Sequence, residues 1–332
     1  MTMSIDHVLH AVDCLRGVTV RTPMVISSAV DERLGRRVWV KAENQQLTGS
    51  FKVRGAYNAL IRLSDRHQGV IGASSGNHGA ALALAARLHQ VPALVVIPDD
   101  APTVKRLAIE AHGAQIVTYD RHRGRRDALV QELAHRHRQA VVPSANDARI
   151  IAGAGTVAWE MLQEVPDLAA MLVPVGGGGL AAGTALTATG HNPHLQVFGV
   201  EPAVADDTLR SLRAGRLTPI PSPATIADGL GHAEPARVPF QINQRLLADV
   251  ITVPEDAIAD AMALLWRHYH LVAEPSGAVA FAGLLQAADR LPDGPVGVVL
   301  SGGNVDWTAY RTLVDIAMER IGDQPHAAPV LH

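Results

Sequence analysis

Lys52 is the residue of this chain best placed to act as a nucleophile. It follows Phe51 and lies between a small polar approach, Thr48-Gly49-Ser50, and the segment Ala56 to Leu63, whose spacing predicts a helix. A lysine amine attacks a carbonyl well only when burial or a nearby cation lowers its pKa, and the apolar flanks and Arg54 offer both. On these residues alone, a solvated lysine at a helix start is the commoner arrangement. The glycine-bearing turns further along shift that balance. Gly176-Gly177-Gly178-Gly179 follows an apolar run and precedes a helical pattern starting near Leu180. Successive glycines let backbone N–H groups converge at a helix N-terminus, a geometry that holds a phosphate without a cationic side chain. Ser74-Ser75-Gly76-Asn77-His78-Gly79 brings hydroxyls, an amide and an imidazole to the start of a helix, Ala80 to Leu88, where a carboxylate would be welcome. Ser and Asn also serve there as ordinary helix caps. A competing reading takes Glu201, after the next strand, as the ribose carboxylate of a dinucleotide-binding unit. Gly153-Ala154-Gly155-Thr156-Val157-Ala158 fits the same glycine pattern, but Ile150-Ile151-Ala152 makes a poor preceding strand.

The elements that must position these residues alternate between short Val/Ile-rich runs and Ala/Leu-rich helical patterns. That alternation is the sequence form of a parallel sheet with crossover helices, an α/β fold. Strands are expected at 38–41, 69–73, 93–97, 115–118, 140–142, 171–175, 196–200 and 297–300. Three of them run from strand into turn into helix, at Ser74, Gly176 and Ser301-Gly302-Gly303-Asn304. Ligands of open α/β sheets bind at such carboxyl ends, so the three turns are expected to share one crevice. The proline-bearing stretch 219–236 reads as a long ordered loop of functional type.

Composition sets the bounds. The chain has 332 residues, enough for two domains, with 48% hydrophobic and 18% charged residues, an ordinary globular balance. A net charge of -3 gives no footprint for nucleic acid or an anionic membrane. The basic run from Arg121 to Arg126 lacks interleaved aromatics and reads as a solvated loop or a small-anion site. Cys14 is the single cysteine, which excludes a disulfide framework and a thiolate metal site. The apolar stretch 169–189 carries four glycines in a row and several threonines, which argues against a spanning helix. The N-terminus has no signal-peptide apolar run, so a cytoplasmic protein is expected.

Taken together, Ser50-Phe51-Lys52-Val53-Arg54-Gly55-Ala56, Ser75-Gly76-Asn77-His78-Gly79, Gly176–Gly179, Glu274-Pro275-Ser276-Gly277-Ala278 and Ser301-Gly302-Gly303-Asn304 carry a resemblance. In order and spacing they resemble the fold type II pyridoxal-phosphate enzymes, closest to the serine/threonine dehydratase and serine racemase branch. The resemblance spans roughly residues 15–310 and displaces the dinucleotide reading. It implies a two-domain, tryptophan-synthase-β-like architecture: a large domain from residues 1–64 plus 147–332 and a small mobile domain of 65–146. Lys52 would hold pyridoxal phosphate as a Schiff base and later move the α-proton. Phe51 would flank the ring, Asn77 would bond its 3-hydroxyl, Gly176, Gly177, Gly178 and Gly179 would cradle the phosphate, and Ser301 would face the pyridine nitrogen. Gly229 and Glu274 would line the cofactor, while Ser74, Ser75, Asn77 and His78 would receive the substrate. Glu201, the Ala205 carbonyl and Asp207 match the branch's divalent-cation site, whose hard oxygens suit magnesium, calcium or manganese.

Within that branch, Ser75 is the informative position. Strict threonine dehydratases tend to carry alanine there, and racemases carry serine opposite the lysine, where a second base allows proton return on the other face. Serine permits racemisation without requiring it. The expected activity is therefore dehydration of a β-hydroxy-α-amino acid, of the L-threonine or L-serine type, to a 2-oxo acid and ammonia. Serine racemisation and threo-3-hydroxyaspartate dehydration are the alternatives, and a nicotinamide-dependent oxidoreductase is a distant one. Arg126 aligns with a substrate-contacting arginine of the racemases, and the unusual arginines beside it would favour a second carboxylate, as in 3-hydroxyaspartate. His232 stands where those relatives have a small hydroxyl residue; it either meets a larger or anionic side chain or is a surface histidine. The resemblance also implies a homodimer and a small-molecule amino-acid substrate. The chain ends soon after Ser301, so feedback control by a C-terminal domain is not expected.

Overall fold

The computed structural model describes residues 3–64, 68–74, 76–101, 103–120 and 126–322; Ser75 and most of the basic run, 121–125, lie outside the described residues. Ten strands occur among them: β1 (Met24–Val25), β2 (Val38–Ala42), β3 (Val70–Ala73), β4 (Ala93–Pro98), β5 (Gln115–Tyr119), β6 (Ala140–Val141), β7 (Ala170–Pro174), β8 (Gln196–Pro202), β9 (Asp249–Val253) and β10 (Val296–Leu300). They form a six-stranded sheet in the order β1-β2-β10-β7-β8-β9 and a four-stranded sheet in the order β5-β4-β3-β6. Every pairing is parallel except β1 with β2. The eight expected strands are all present, each within a residue or two of its expected bounds. β1 escaped the sequence because it is two residues long, and β9 because it opens on exposed Asp249.

Both sheets are buried on two faces, as parallel sheets require. The strands of the small sheet all come from residues 70–141, and their apolar cluster includes Val53, Ala56 and Leu60 from the helix Lys52–Leu60 and Ile150 from the helix Ala148–Glu164. Under the large sheet the helix Pro275–Ala287 is apolar all round, with Val279, Phe281 and Leu284 at 1% exposure or less. Among the described residues no helix is long and apolar enough to cross a membrane.

Two helices start earlier than their sequence suggests. Lys52 opens the first turn of Lys52–Leu60, and Asn77 opens Asn77–Leu88. In the first, Gly55 obscured the pattern; it sits mid-helix because a Cβ there would lie 2.9 Å from the Ile150 carbonyl. The pattern Gly153-Ala154-Gly155 turns out to be interior to Ala148–Glu164. Its glycines seat backbone on backbone: a Cβ on Gly153 would lie 2.4 Å from the Arg54 carbonyl, and one on Gly183, in the helix Gly179–His191, 2.4 Å from the Ile151 carbonyl.

A buried charge cluster fastens the Lys52 helix to the rest. Arg54 has no exposed side-chain surface; its Nε and Nη2 donate to Glu43 at 2.8 Å, and its Nη1 donates to Glu160 Oε1 at 2.7 Å. Lys41, equally buried, donates from Nζ to Glu160 Oε2 at 2.6 Å and to the Thr22 carbonyl at 2.7 Å. Two cations and two carboxylates thus join β2, the turn Glu43–Gln45, the Lys52 helix and the helix Ala148–Glu164. Removing one member of such a cluster leaves an uncompensated buried charge. Arg54→Met is expected to destabilise the fold by about 3–5 kcal/mol, read as a lower urea midpoint. Removing Arg136 from its exposed pair with Glu132 should cost less than about 1 kcal/mol; equal losses in the two variants would contradict the assignment.

Candidate active site

The carboxyl ends of strands from both sheets open onto one cavity of about 620 Å³. Phe51, Lys52, Ser74, Asn77, His78, Arg126, Gly176 to Gly179, Gly229, His232, Glu274 and Ser301 all line it. Every described residue expected at the cofactor or substrate is therefore brought together. The three expected cation ligands lie elsewhere, Glu201 at the end of β8 and Ala205 and Asp207 in the turn and helix start that follow it.

Lys52 enters the cavity from a tight approach. Thr48 and Gly49 both adopt positive φ, of 60° and 70°, and a Cβ on Gly49 would overlap the Asn304 side chain. Ser50 bridges to Gly302, and the Phe51 N–H donates to the Ser301 carbonyl at 3.1 Å, so the strand end at Ser301 and the helix start at Lys52 are pinned together. The Lys52 amine donates to the Ser144 carbonyl at 3.2 Å and stands 5.0 Å from the Phe51 ring centre. Burial lowers its pKa to about 8, against the opposing pull of Glu274. The sequence suggested Arg54 as a second cause, but Arg54 is engaged by Glu43 and Glu160 and has no part in the shift. Desolvation acts here alone.

In the same cavity, Gly176 to Gly179 run from β7 into the helix Gly179–His191. A Cβ on Gly176 would lie 3.0 Å from the Gly229 carbonyl, one on Gly177 3.0 Å from the Ala145 Cβ, and one on Gly178 (φ +84°) 2.9 Å from Asn243 Nδ2. The loop is bare backbone by steric demand, and it presents N–H groups at a helix end as an anion cradle. The donor set suits a phosphate.

The remaining wall is a hydrogen-bonded chain. Asn304 Nδ2 donates to Asn77 Oδ1 at 2.8 Å, and Asn77 Nδ2 donates to Glu274 Oε1 at 2.6 Å. Burial pushes Glu274 up to about 7, with the Asn77 bond acting against it. Gly229 donates its N–H to Ser276 Oγ at 2.9 Å. Ser74 Oγ accepts from the Gly76 N–H at 3.2 Å. The His78 ring is 3% exposed, with Nε2 at 2.9 Å from the Val142 carbonyl, and burial lowers it to about 4. At neutral pH the ring is therefore uncharged, and what His78 and Asn77 present besides their side chains is the N–H groups of a helix first turn. Arg126 is exposed at the cavity edge and bonds Asp127 at 2.8 Å. His232 packs against the glycine loop, 3.3 Å from where a Gly177 Cβ would stand, which rules out the surface alternative.

Sequence reasoning missed Ser144 and Ala145, which act through backbone and Cβ, and the pair Lys105–Asp228, which joins the helix Thr103–Glu110 to the long loop at the cavity mouth. No spacing rule signals any of them.

At the expected cation site, Glu201 and Asp207 are each 1% exposed, and the Ala205 backbone lies in the same turn. Glu201 accepts the N–H groups of Thr208 and Leu209 at 3.3 and 2.9 Å, while Asp207 Oδ2 has no partner. Burial raises Glu201 to about 8 and Asp207 to about 7. Among the described residues no cluster of three metal-type side chains occurs, so two carboxylates would need backbone oxygen to complete a site. The orphaned oxygen and the hard donors fit a small cation.

The family described as pyridoxal-phosphate dependent enzymes matches residues 15–302. This chain belongs to that family. Among pyridoxal-phosphate enzymes, it is 41% identical to the L-threo-3-hydroxyaspartate ammonia-lyase of Saccharomyces cerevisiae over 309 residues, 92% of this chain and 95% of that protein. Serine racemase from Dictyostelium discoideum superposes with a TM-score of 0.86 at 37% identity, covering 92% of this chain and all (100%) of that one. A threonine deaminase from T.th. gives 0.87 at 37% identity, covering 92% of this chain and 99% of that one. The chain is a fold type II pyridoxal-phosphate enzyme of the serine/threonine dehydratase and racemase branch.

The depressed Lys52 pKa has a stability consequence in the cofactor-free protein. Below pH 8 the lysine is protonated in both the folded and unfolded states. Between about 8 and 10.5 the unfolded chain binds the extra proton, so stability rises with pH across that window. Relative to Lys52→Met, the unaltered apo-protein should gain about 2 kcal/mol between pH 8 and 10. Urea unfolding of both proteins checks this, and a pH-independent difference would contradict a buried, desolvated amine.

Proposed function

We propose that this enzyme is an ammonia-lyase that eliminates water from a β-hydroxy-α-amino acid, giving a 2-oxo acid and ammonia. The observation that carries the reading is that a buried Lys52 amine with a lowered pKa and a bare-backbone anion cradle line one cavity. Pyridoxal phosphate, held covalently at Lys52 with its phosphate at Gly176 to Gly179, would supply the electron sink that makes the α-proton acidic. Asn77 would bond its 3-hydroxyl, and Ser301 would face its ring nitrogen as a neutral hydroxyl. Phe51 shields one side, and Gly229 and Glu274 close the wall. The substrate α-carboxylate would rest on Ser74 and the N–H groups of Asn77 and His78. Lys52 Nζ would then take the α-proton.

Arg126 at the cavity edge and the ammonia-lyase relative both support threo-3-hydroxyaspartate over serine or threonine as the preferred substrate. The serine racemase likeness supports racemisation as a second activity, with Ser75 as the second base. The unit of residues 65–146 would close over bound substrate, and the enzyme would work as a cytoplasmic homodimer.

Purified enzyme should absorb near ~410–420 nm, the region of a protonated lysine–pyridoxal imine, and Lys52→Ala should abolish the band together with 2-oxo acid formation. A colourless protein that stays so with added pyridoxal phosphate would sink the proposal. Loss of Arg126 should raise KM for threo-3-hydroxyaspartate by about 10–100-fold, the worth of a charged hydrogen bond, with serine affected less. Equal effects on the two substrates would count against a second-carboxylate role.

Glu201, Asp207 and the Ala205 carbonyl would hold a divalent cation, magnesium or calcium, as a structural ion. Saturating magnesium or calcium should then raise the unfolding temperature, about 2.7 kcal/mol at a hundred times Kd, and Asp207→Asn should remove the increment. Unfolding unchanged by either ion or by chelator would exclude the site.

A further inference from the structure

Loss of a hydroxyl needs a proton as well as a base, because hydroxide is a poor leaving group and water a good one. Of the described imidazoles and carboxylates that line the cavity, four are already engaged by the protein. Glu274 receives Asn77, Asp228 receives Lys105, His78 faces the Val142 carbonyl, and Asp306 caps the helix Trp307–Ile321 by accepting the N–H groups of Thr308 and Ala309. His232 is the fifth. Its Nε2 lies 3.3 Å from the Gly177 Cβ position, on the cradle side of the cavity, while its Nδ1 is buried against the loop without a well-formed hydrogen bond. The α-carboxylate acceptors Ser74, Asn77 and His78 belong to the loop after β3, and the anion cradle to the loop after β7. A β-substituent directed toward the cradle meets His232.

We propose that His232 is the acid that protonates the departing β-hydroxyl, a role that rests on the dehydratase reading above. The α-C–H bond breaks, its proton goes to Lys52 Nζ and its electron pair becomes the new Cα=Cβ bond. The Cβ–O pair leaves with oxygen, which takes the proton from His232 Nε2, and water departs. The net change is loss of water, with no oxidant or reductant required. His232 then recovers a proton from solvent and Lys52 Nζ gives one up, so both groups return to their starting states.

Burial lowers the His232 pKa most, Lys52 from its helix and Arg126 from the start of Arg126–His137 lower it further, and the Leu230 backbone acts against them, leaving it at about 4. Of the two carboxylates of its own loop, Asp228 is held by Lys105, and Glu234 acts on Asp207. A phosphate in the cradle brings negative charge beside the ring and Lys52 loses its free ammonium on covalent attachment, so loading the site returns the imidazole toward its charged, proton-donating form.

The test uses a substrate whose leaving group needs no proton. The His232→Gln holoenzyme should lose about 10²–10⁴-fold in kcat on L-serine and threo-3-hydroxyaspartate, the usual worth of a positioned acid. Its elimination of chloride from β-chloro-L-alanine should change little, and its ~410–420 nm band, a property of the bound cofactor, should remain. Should the glutamine variant fail to fold, His232→Asn takes its place. Parallel losses on hydroxyl and chloride substrates, or a rise in KM for threo-3-hydroxyaspartate alone, would overturn the acid role. If the unaltered enzyme eliminates from neither class, the dehydratase reading itself falls. Independently of turnover, the ¹³C-histidine resonance that is missing from the variant should report a neutral ring at pH 7 in the apo-protein and a protonated one after loading with pyridoxal phosphate. A ring that stays neutral on loading overturns the proposal.

Discussion

The pairing of Arg54 with Glu43 and Glu160 is the interaction on which the rest of this site depends. A helix whose first turn must bury a reactive amine cannot also be held there by that amine, because any strong partner for Lys52 would raise its pKa and silence it. The structure separates the two tasks over two residues. Arg54 takes the ion pairs and is fully enclosed, and Lys52 is left with one carbonyl and an aromatic ring. Desolvation then shifts the amine because the one opposing pull, from Glu274, is too weak to offset it.

The same separation runs through the opposite wall. The glycine loop carries no side chain that a substitution could repurpose, and its neighbours Ala145, Gly229, Asn243 and His232 stand where its Cβ atoms would be. An anion there is held by backbone geometry, and the side chains around it remain available for other work. The two sheets contribute unequal parts: the large one brings the cradle and Ser301, the small one brings the Ser74–His78 turn, and Lys52 sits on a helix that packs into the small sheet's cluster while being anchored to β2 of the large one.

Much of this was legible in the sequence. Apolar runs ended in turns of characteristic composition, so eight strands and the convergence of three loops could be read directly, as could the identity of the lining residues. What could not be read depends on contacts between distant segments. Arg54, two residues from the nucleophile, looked like its electrostatic partner; only the fold reveals that Glu43 and Glu160 claim it. Gly55 and Gly153 looked like helix breakers or a nucleotide signature, whereas each marks a place where one backbone touches another. The sequence placed His78 at a helix start suited to a carboxylate but left its charge open; its burial, with Nε2 against the Val142 carbonyl, leaves it neutral. His232 had two readings of equal standing until its position against Gly177 was known.

The glycine contacts among the helices Lys52–Leu60, Ala148–Glu164 and Gly179–His191 bear on how such an enzyme can diverge. A junction made of main chain offers no side chain to vary, so mutation there meets steric refusal, whereas Arg126 at the cavity edge can change without moving it. New specificities are therefore open to this scaffold at low structural risk, provided the drift stays on the loops and leaves the junction alone.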